Sequence, residues 1–180
     1  QLELALNISI KNNVTGKNYT LSTGIDMLAF EKHLFQQAPV FIRILRNKPA
    51  IIAEFTEALI PFMELDKNCL QLKWDVKLNA LDSFNRGDFY IQDHASQQTL
   101  NNIAPKEGET WWDACCGAGG KTLLFKHQFP EAELVATDLR NSIIKNFNAR
   151  LQHHQLNSKA RVFNLEQPAS GSMNQYFDGI

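Results

Sequence analysis

The sequence predicts an α/β domain built around a cofactor-binding turn and preceded by a smaller α+β unit. Three observations carry this. Residues Asp113 to Thr122 read Asp-Ala-Cys-Cys-Gly-Ala-Gly-Gly-Lys-Thr, between the β-prone run Thr110, Trp111, Trp112 and the helix-spaced apolar positions Leu123, Leu124, Phe125 and Phe129. The segment from Glu133 to Asp138 supplies a second strand whose terminal acid falls roughly 20 residues on, the interval at which such folds place a carboxylate on a ribose. From Pro39 onward the pattern is strand, helix, strand.

Taken in order, residues 1–38 are the N-terminal segment. Leu2, Leu4, Leu6, Ile8 and Ile10 alternate with polar neighbours and predict a strand that Tyr19 to Leu21 returns as a hairpin, followed by a helix from Met27 to Gln36. No functional expectation attaches to this segment. Residues 39–88 read as a strand at Val40 to Leu45, a helix at Ala50 to Ile60 that Pro61 ends, and a strand at Cys69 to Trp74. Asn85, Arg86 and Gly87 mark a turn out, and residues 89–180 open with a helix capped by Asp93, with Ala95, Thr99, Leu100 and Ile103 on its packed side. Strands at Thr110 to Cys115, Glu133 to Asp138 and Ala160 to Leu165 follow, with a fourth opening at Tyr176. Repeats and low-complexity segments are absent from the sequence.

Bulk properties bound the function without naming it. The chain has 180 residues, 44% of them hydrophobic, enough for a core. No apolar run approaches the length of about 18 residues that a membrane span needs, and Gln1 is not followed by a secretory pattern, so the expectation is a cytoplasmic protein away from membranes. Three cysteines make no even disulfide framework and lack metal-ligand spacing, which predicts reduced thiols and no metal.

In the turn, Gly117, Gly119 and Gly120 let backbone approach a ligand, and the helix that starts near Lys121 offers free N–H groups and a positive dipole end to a carboxylate or phosphate. A phosphate-binding Walker loop requires glycine where Cys115 stands, so the nucleoside triphosphatase reading fails. Dinucleotide and S-adenosylmethionine sites both remain. Asp138 is the candidate ribose clamp, and a helix N-cap is the structural alternative. Lys121 opposes the helix dipole, which points to an anionic partner.

Charge sums to −1, so RNA contact would rest on local patches. Arg140, Lys145, Arg150, Lys159 and Arg161 with His153 and His154 fall in a stretch without acids, readable as a basic face or as the solvated side of a helix whose stripe is Ile143, Ile144, Phe147 and Leu151. Phe41, Arg43, Arg46 and Lys48 read either as an exposed RNA-stacking strand face or as the cations of a protected edge.

The turn, together with Gly87 to Gln97, which reads Gly-Asp-Phe-Tyr-Ile-Gln-Asp-His-Ala-Ser-Gln, resembles the Sun/Fmu and Nop family of RNA (cytosine-5)-methyltransferases. There a Gln-Asp-x-x-Ser element, matched by Gln92, Asp93 and Ser96, precedes a Cys-x-x-x-Gly-Gly-Lys loop, matched by Cys115 to Lys121; Ala118 replaces the usual proline. The resemblance covers residues 39–180. It implies a Rossmann-like S-adenosylmethionine-dependent methyltransferase domain, incomplete in this chain, after a ferredoxin-like, RNA-recognition-type domain. It assigns Cys115, Cys116, Gly117, Ala118, Gly119, Gly120, Lys121 and Asp138 to S-adenosylmethionine, and Glu166, with Asn164 as rival, to the adenine. Gln92, Asp93 and Ser96 support the wall of the site.

The implied reaction is methyl transfer to carbon 5 of a cytosine in RNA, with small-subunit ribosomal RNA as the first expected substrate and transfer RNA second, by an intact protein that is a monomer. The nucleophilic cysteine of the family falls beyond Ile180, so no catalytic residue is assigned, Cys115 and Cys116 belong to the loop, and the chain is read as a piece of a longer enzyme, inert alone. A methyltransferase for another substrate and a non-catalytic RNA-binding relative are the competing classes.

Overall fold

The structure, a computed structural model, describes residues 22–34, 36–167 and 177–180. The expected hairpin of residues 1–21 lies outside them. Contacts divide the chain into two compact units, Gln1–Ala38 and Pro39–Ile180. In the first, helix α1 (Met27–Leu34) is opened by the Asp26 carboxylate, which accepts from Ala29 N at 2.7 Å.

The second unit holds two sheets. Strands β1 (Val40–Ile44), β2 (Phe62–Asp66), β3 (Cys69–Leu72) and β4 (Phe89–Ile91) form an antiparallel sheet in the order β2-β3-β1-β4. Helix α2 (Lys48–Glu57) covers one face and closes a core of Ile42, Ile44, Ile51, Phe55, Leu70, Leu72 and Phe89. The helix starts earlier than the apolar spacing predicts, because Pro49 suits its first turn, and stops before Leu59, whose φ of 53° cannot continue it. Pro61 therefore precedes β2 rather than ending the helix. Neither β2 nor β4 is evident from sequence periodicity, and β4 lies just past residue 88 while pairing Arg43 with Tyr90 and Ile44 with Phe89 on β1.

The second sheet is parallel, with β5 (Thr110–Asp113), β6 (Glu133–Asp138) and β7 (Lys159–Val162) in that order. Residues 177–180 add a parallel bridge on the free side of β5: Trp112 N donates to Gly179 O at 2.9 Å and Asp178 N to Thr110 O at 2.9 Å. Helix α5 (Gly120–Gln128) crosses from β5 to β6, and helix α6 (Asn141–His153) from β6 to β7. The expected stripe of α6 is buried at Ile144, Phe147 and Leu151. Between β4 and β5 the expected long helix is short: α3 (Asp82–Asn85) precedes β4, and α4 (His94–Gln97) is a single turn that Asp93 caps by accepting from Ala95 N at 3.0 Å.

The sheets pack on each other, and this overturns both readings of the Phe41–Lys48 cations. β1 is central, so it is no edge, and Arg43 is buried, 3.9 Å from the Asp66 carboxylate. Arg46 pairs with Asp88 at 3.1 Å, Lys48 pairs with Glu64, and Phe41 stacks on His94. The face opposite α2 carries Tyr90, which is buried in one cluster with Cys116, Leu123, Ile144, Phe147 and Leu151 of the parallel sheet's layer. An RNA-stacking platform on that face is excluded by this packing.

The expected basic face of residues 140–161 is likewise partly absorbed. Arg150 lies 5.2 Å over the Tyr90 ring and donates to Ala118 O and Ile91 O, Lys159 lies 3.5 Å from Glu133, and His154 is buried with Nδ1 donating to Gly87 O at 3.0 Å. Desolvation depresses His154 to about 4. Because the folded value lies below the unfolded value of about 6.5, the unfolded chain takes up the proton first as pH falls. His154 should therefore remove stability progressively from about pH 6.5 to about pH 4, on the order of 3 kcal/mol in all. Urea unfolding near pH 7 and about pH 4.5 checks this, with His154→Gln expected to flatten the difference.

Candidate functional site

The turn takes its shape from the end of β6. Cys116 N donates to Thr137 O at 2.9 Å, Thr137 Oγ1 donates to Ala114 O at 3.0 Å, and Gly117 N donates to Asp138 Oδ2 at 3.2 Å. Trp112 Nε1 adds a bond to Thr137 Oγ1 at 2.9 Å. Gly117 and Gly119 have φ of 51° and 84°, in the left-handed region. Gly119 is also needed for space, since a Cβ there would stand 2.7 Å from the Phe147 ring.

Four of the predicted residues, Cys115, Cys116, Gly120 and Lys121, line one cleft of about 150 Å³ together with Gln92, Ser96 and Asp113. The Gln-Asp-x-x-Ser element is thus brought to the loop through Gln92 and Ser96, while Asp93 caps α4 instead. Asp113 is the residue sequence reasoning left out of the site. Its Oδ2 accepts from Thr122 Oγ1 at 2.7 Å, which ties the end of β5 to the first turn of α5. Its place at the head of the loop motif was the available signal.

Asp138 is buried at the strand end and is not the N-cap of α6, which Arg140 occupies without a side-chain bond. Its Oδ1 accepts from Arg140 N at 3.0 Å and Arg140 Nε at 3.1 Å. The Arg140 side-chain and backbone bonds, with a smaller contribution from Gly117 N, hold its carboxyl below the usual range. Ala118 is exposed on the turn, its carbonyl taken by Arg150. Glu166 stands apart: β7 stops at Val162, so strand phase does not extend to it, and it sits exposed on a turn with its N–H on Asn164 Oδ1 at 3.0 Å.

The thiols differ sharply. Cys116 is buried, and desolvation with the Asp113 and Asp138 charges pushes it up to about 12. Cys69 is buried and raised by desolvation, whereas Cys115 is exposed. No thiolate nucleophile is placed by Cys116.

A second cavity of about 260 Å³ shares the walls Asp113 and Lys121 and is otherwise largely apolar, with Leu100, Ile103, Trp111 and Phe125. Among the described residues no helix is long and apolar enough to cross a membrane.

No family model matches the chain. A protein of Vibrio cholerae named ribosomal RNA small subunit methyltransferase B is 31% identical over 115 residues, 64% of this chain and 26% of that one. Proteins of the same name from Pasteurella multocida and Escherichia coli are 30% and 27% identical, covering 73% and 81% of this chain and 30% and 35% of theirs. The chain thus spans about a third or less of the length of these relatives. Among solved structures, a methyltransferase homologue from Pyrococcus horikoshii matches with a TM-score of 0.63 at 17% identity, over 74% of this chain and 46% of that one. NSun6 from the same organism, solved with SFG, matches with 0.62 at 13% identity, over 70% and 58%. The fold is accordingly the Rossmann-like α/β fold of methyltransferases.

Two measurements check the site. Gly119→Ala should destabilise the chain by about 2 kcal/mol or more, since a left-handed φ costs about 1–2 kcal/mol and Phe147 must also move, read as a lowered denaturant midpoint. Maleimide labelling of the folded chain followed by mass spectrometry should modify Cys115 quickly and leave Cys69 and Cys116 until unfolding.

Proposed function

We propose, on the premise that this chain is a relative of the Sun/Fmu/Nop methyltransferases, that it supplies the S-adenosylmethionine site of an enzyme that methylates carbon 5 of a cytosine in RNA. Small-subunit ribosomal RNA is the substrate the curated relatives' names favour. One observation carries the reading: a glycine turn at a helix N-terminus and the acid ending the next parallel strand are joined by the Asp138–Gly117 hydrogen bond, beside a cleft that also takes Gln92 and Ser96.

The donor set fits that cofactor. Lys121 and the N-terminus of α5 suit a carboxylate, and Asp138 suits a ribose diol. When bound, S-adenosylmethionine supplies a methyl group made electrophilic by its sulfonium. The chain's own residues orient it. The N–H groups of the first turn of α5, at Gly120 and Lys121, face the amino-acid end, and the Asp138 carboxylate, kept ionised by Arg140, accepts from the sugar. Arg140 occupies that carboxylate through a largely exposed side chain, so its guanidinium is the group that must give way. Glu166 or Asn164 is assigned to the adenine by the resemblance alone.

In the same reading, residues 39–88 with β4 as fourth strand are the ferredoxin-like, RNA-recognition-type unit, supported by the strand order β2-β3-β1-β4 with α2 and α3 as crossovers. The thiol that adds to cytosine is not assigned to Cys69, Cys115 or Cys116, and the intact enzyme is read as a monomer.

Calorimetry of the full chain with S-adenosylhomocysteine should detect binding that Asp138→Ala weakens about 10-fold or more, the worth of a hydrogen bond to a charged group, and that Arg140→Ala tightens. No heat with the unsubstituted chain would refute the cofactor assignment.

A further inference from the structure

Gln92 is held in the wall of the cleft with half of its amide unused. The residue is 7% exposed, and its Oε1 accepts from the Tyr90 hydroxyl at 3.0 Å. Its Nε2 is buried and has no hydrogen-bond partner among the described residues. Burying an amide donor unpaired costs about 1–3 kcal/mol, and native structures hold few such groups. That nitrogen faces the turn: a Cβ on Gly120 would stand 3.5 Å from it. Any side chain at Gly120 would come between Gln92 and the cleft that both line with Ser96 and Lys121.

The Tyr90 hydroxyl lies 3.0 Å from Gln92 Oε1 and 3.5 Å from Gly120 O, and the shorter bond sets which end of the amide looks into the cleft. The Tyr90 side chain is 1% exposed, its ring is bracketed by Arg150 at 5.2 Å and His154 at 5.5 Å, and burial raises its phenol so that it remains a donor. A hydroxyl that donates to Oε1 turns Nε2 away from itself and toward Gly120. The N-terminus of α5, a helix of 9 residues, opens its own free N–H groups onto the same cleft. Two sets of donors therefore converge on one cleft.

We propose that Gln92 is a cofactor-binding residue that donates Nε2–H to the carboxylate at the amino-acid end of S-adenosylmethionine, beside the α5 N-terminus, and that Tyr90 is the positioning residue that aims it. The assignment rests on the cofactor reading above and goes past the loop and Asp138 to a residue of the antiparallel sheet's last connection.

The test separates the two ends of the cofactor. S-Adenosylhomocysteine carries the amino-acid end, and 5′-methylthioadenosine keeps the nucleoside and thioether without it. In calorimetry of the full chain, Gln92→Ala should weaken S-adenosylhomocysteine about 10-fold while leaving 5′-methylthioadenosine within error. Gln92→Glu, which keeps the acceptor for Tyr90 and so the local packing, should weaken it further by setting a carboxylate against a carboxylate. Tyr90→Phe should lose part of the same discrimination. Unchanged affinity in both Gln92 variants, as when the amide meets only an ordered water, would overturn the role, and so would parallel loss of both compounds, the mark of a structural part. If the unsubstituted chain binds neither compound, the cofactor reading falls and this assignment with it. If it binds both and only the Gln92 variants are silent, the cofactor reading stands alone.

Discussion

The hydrogen bond from Gly117 N to the Asp138 carboxylate is the constraint on which the site depends. Residues at the ends of parallel strands have backbone groups that no ladder satisfies, and each needs a partner before it can be buried. Here the last two residues of β6 supply partners for Ala114, Cys116 and Gly117, so the strand dictates the start of the turn. The far end is fixed by Gly119 against Phe147, where only a missing side chain fits. The turn therefore does not need the rigidity of a proline at Ala118, because its conformation is specified from both flanks.

The second constraint is that the antiparallel sheet is covered on both faces. Helix α2 takes one, and the other meets α5 and α6 through Tyr90, Arg43 and the α4 turn. Burying Tyr90 brings its hydroxyl to Gln92 and its ring under Arg150, while Arg150 in turn holds Ala118 O. The segment that follows the small sheet thus forms a wall of the cleft through Gln92 and Ser96. The Tyr90 layer reaches the turn through Arg150 on Ala118 O and through the Tyr90 hydroxyl, 3.5 Å from Gly120 O.

What was legible in the sequence follows from this division. Strands β5 and β6, the turn and α6 could be read because each has a local signature: an apolar run, glycines, a terminal acid, a stripe at helical spacing. Strands β2 and β4 could not, since Phe62 to Asp66 has no clean alternation and Phe89 to Ile91 is too short to have a period. The long helix expected after Asp93 was wrong because the cap was real but the apolar positions beyond Gln97 pack as turns. The cationic strand at Phe41 to Lys48 failed, and the basic face of residues 140–161 held only as the solvated side of α6, for a different reason. Counting charges along a chain says nothing of what lies across a sheet, and Arg43 faces Cys69 and Tyr90 in register while His154 is sealed on Gly87. Glu166 was reached by extending a strand that ends at Val162. In the cleft, Gln92 and Ser96 were placed by motif, but the unpaired amide that makes Gln92 chemically interesting is visible only once Tyr90 has taken its other end.

The electrostatics of the cleft bear on which cofactor class it excludes. Asp113 and Asp138 flank Cys116 closely enough that their charges, added to desolvation, raise its thiol. Of the two acids, Asp113 lines the cleft with Lys121, Gln92 and the start of α5, while Asp138 is paired with Arg140. A polyphosphate entering this space would meet the Asp113 carboxylate beside a single lysine, and repulsion between like charges in a partly desolvated site is costly. A ligand with an ammonium, a carboxylate and a neutral diol finds complementary groups in Asp113, Lys121 and Asp138. The glycine missing at Cys115 and the acid at Asp113 thus oppose a nucleoside triphosphate independently, one through backbone geometry and the other through charge.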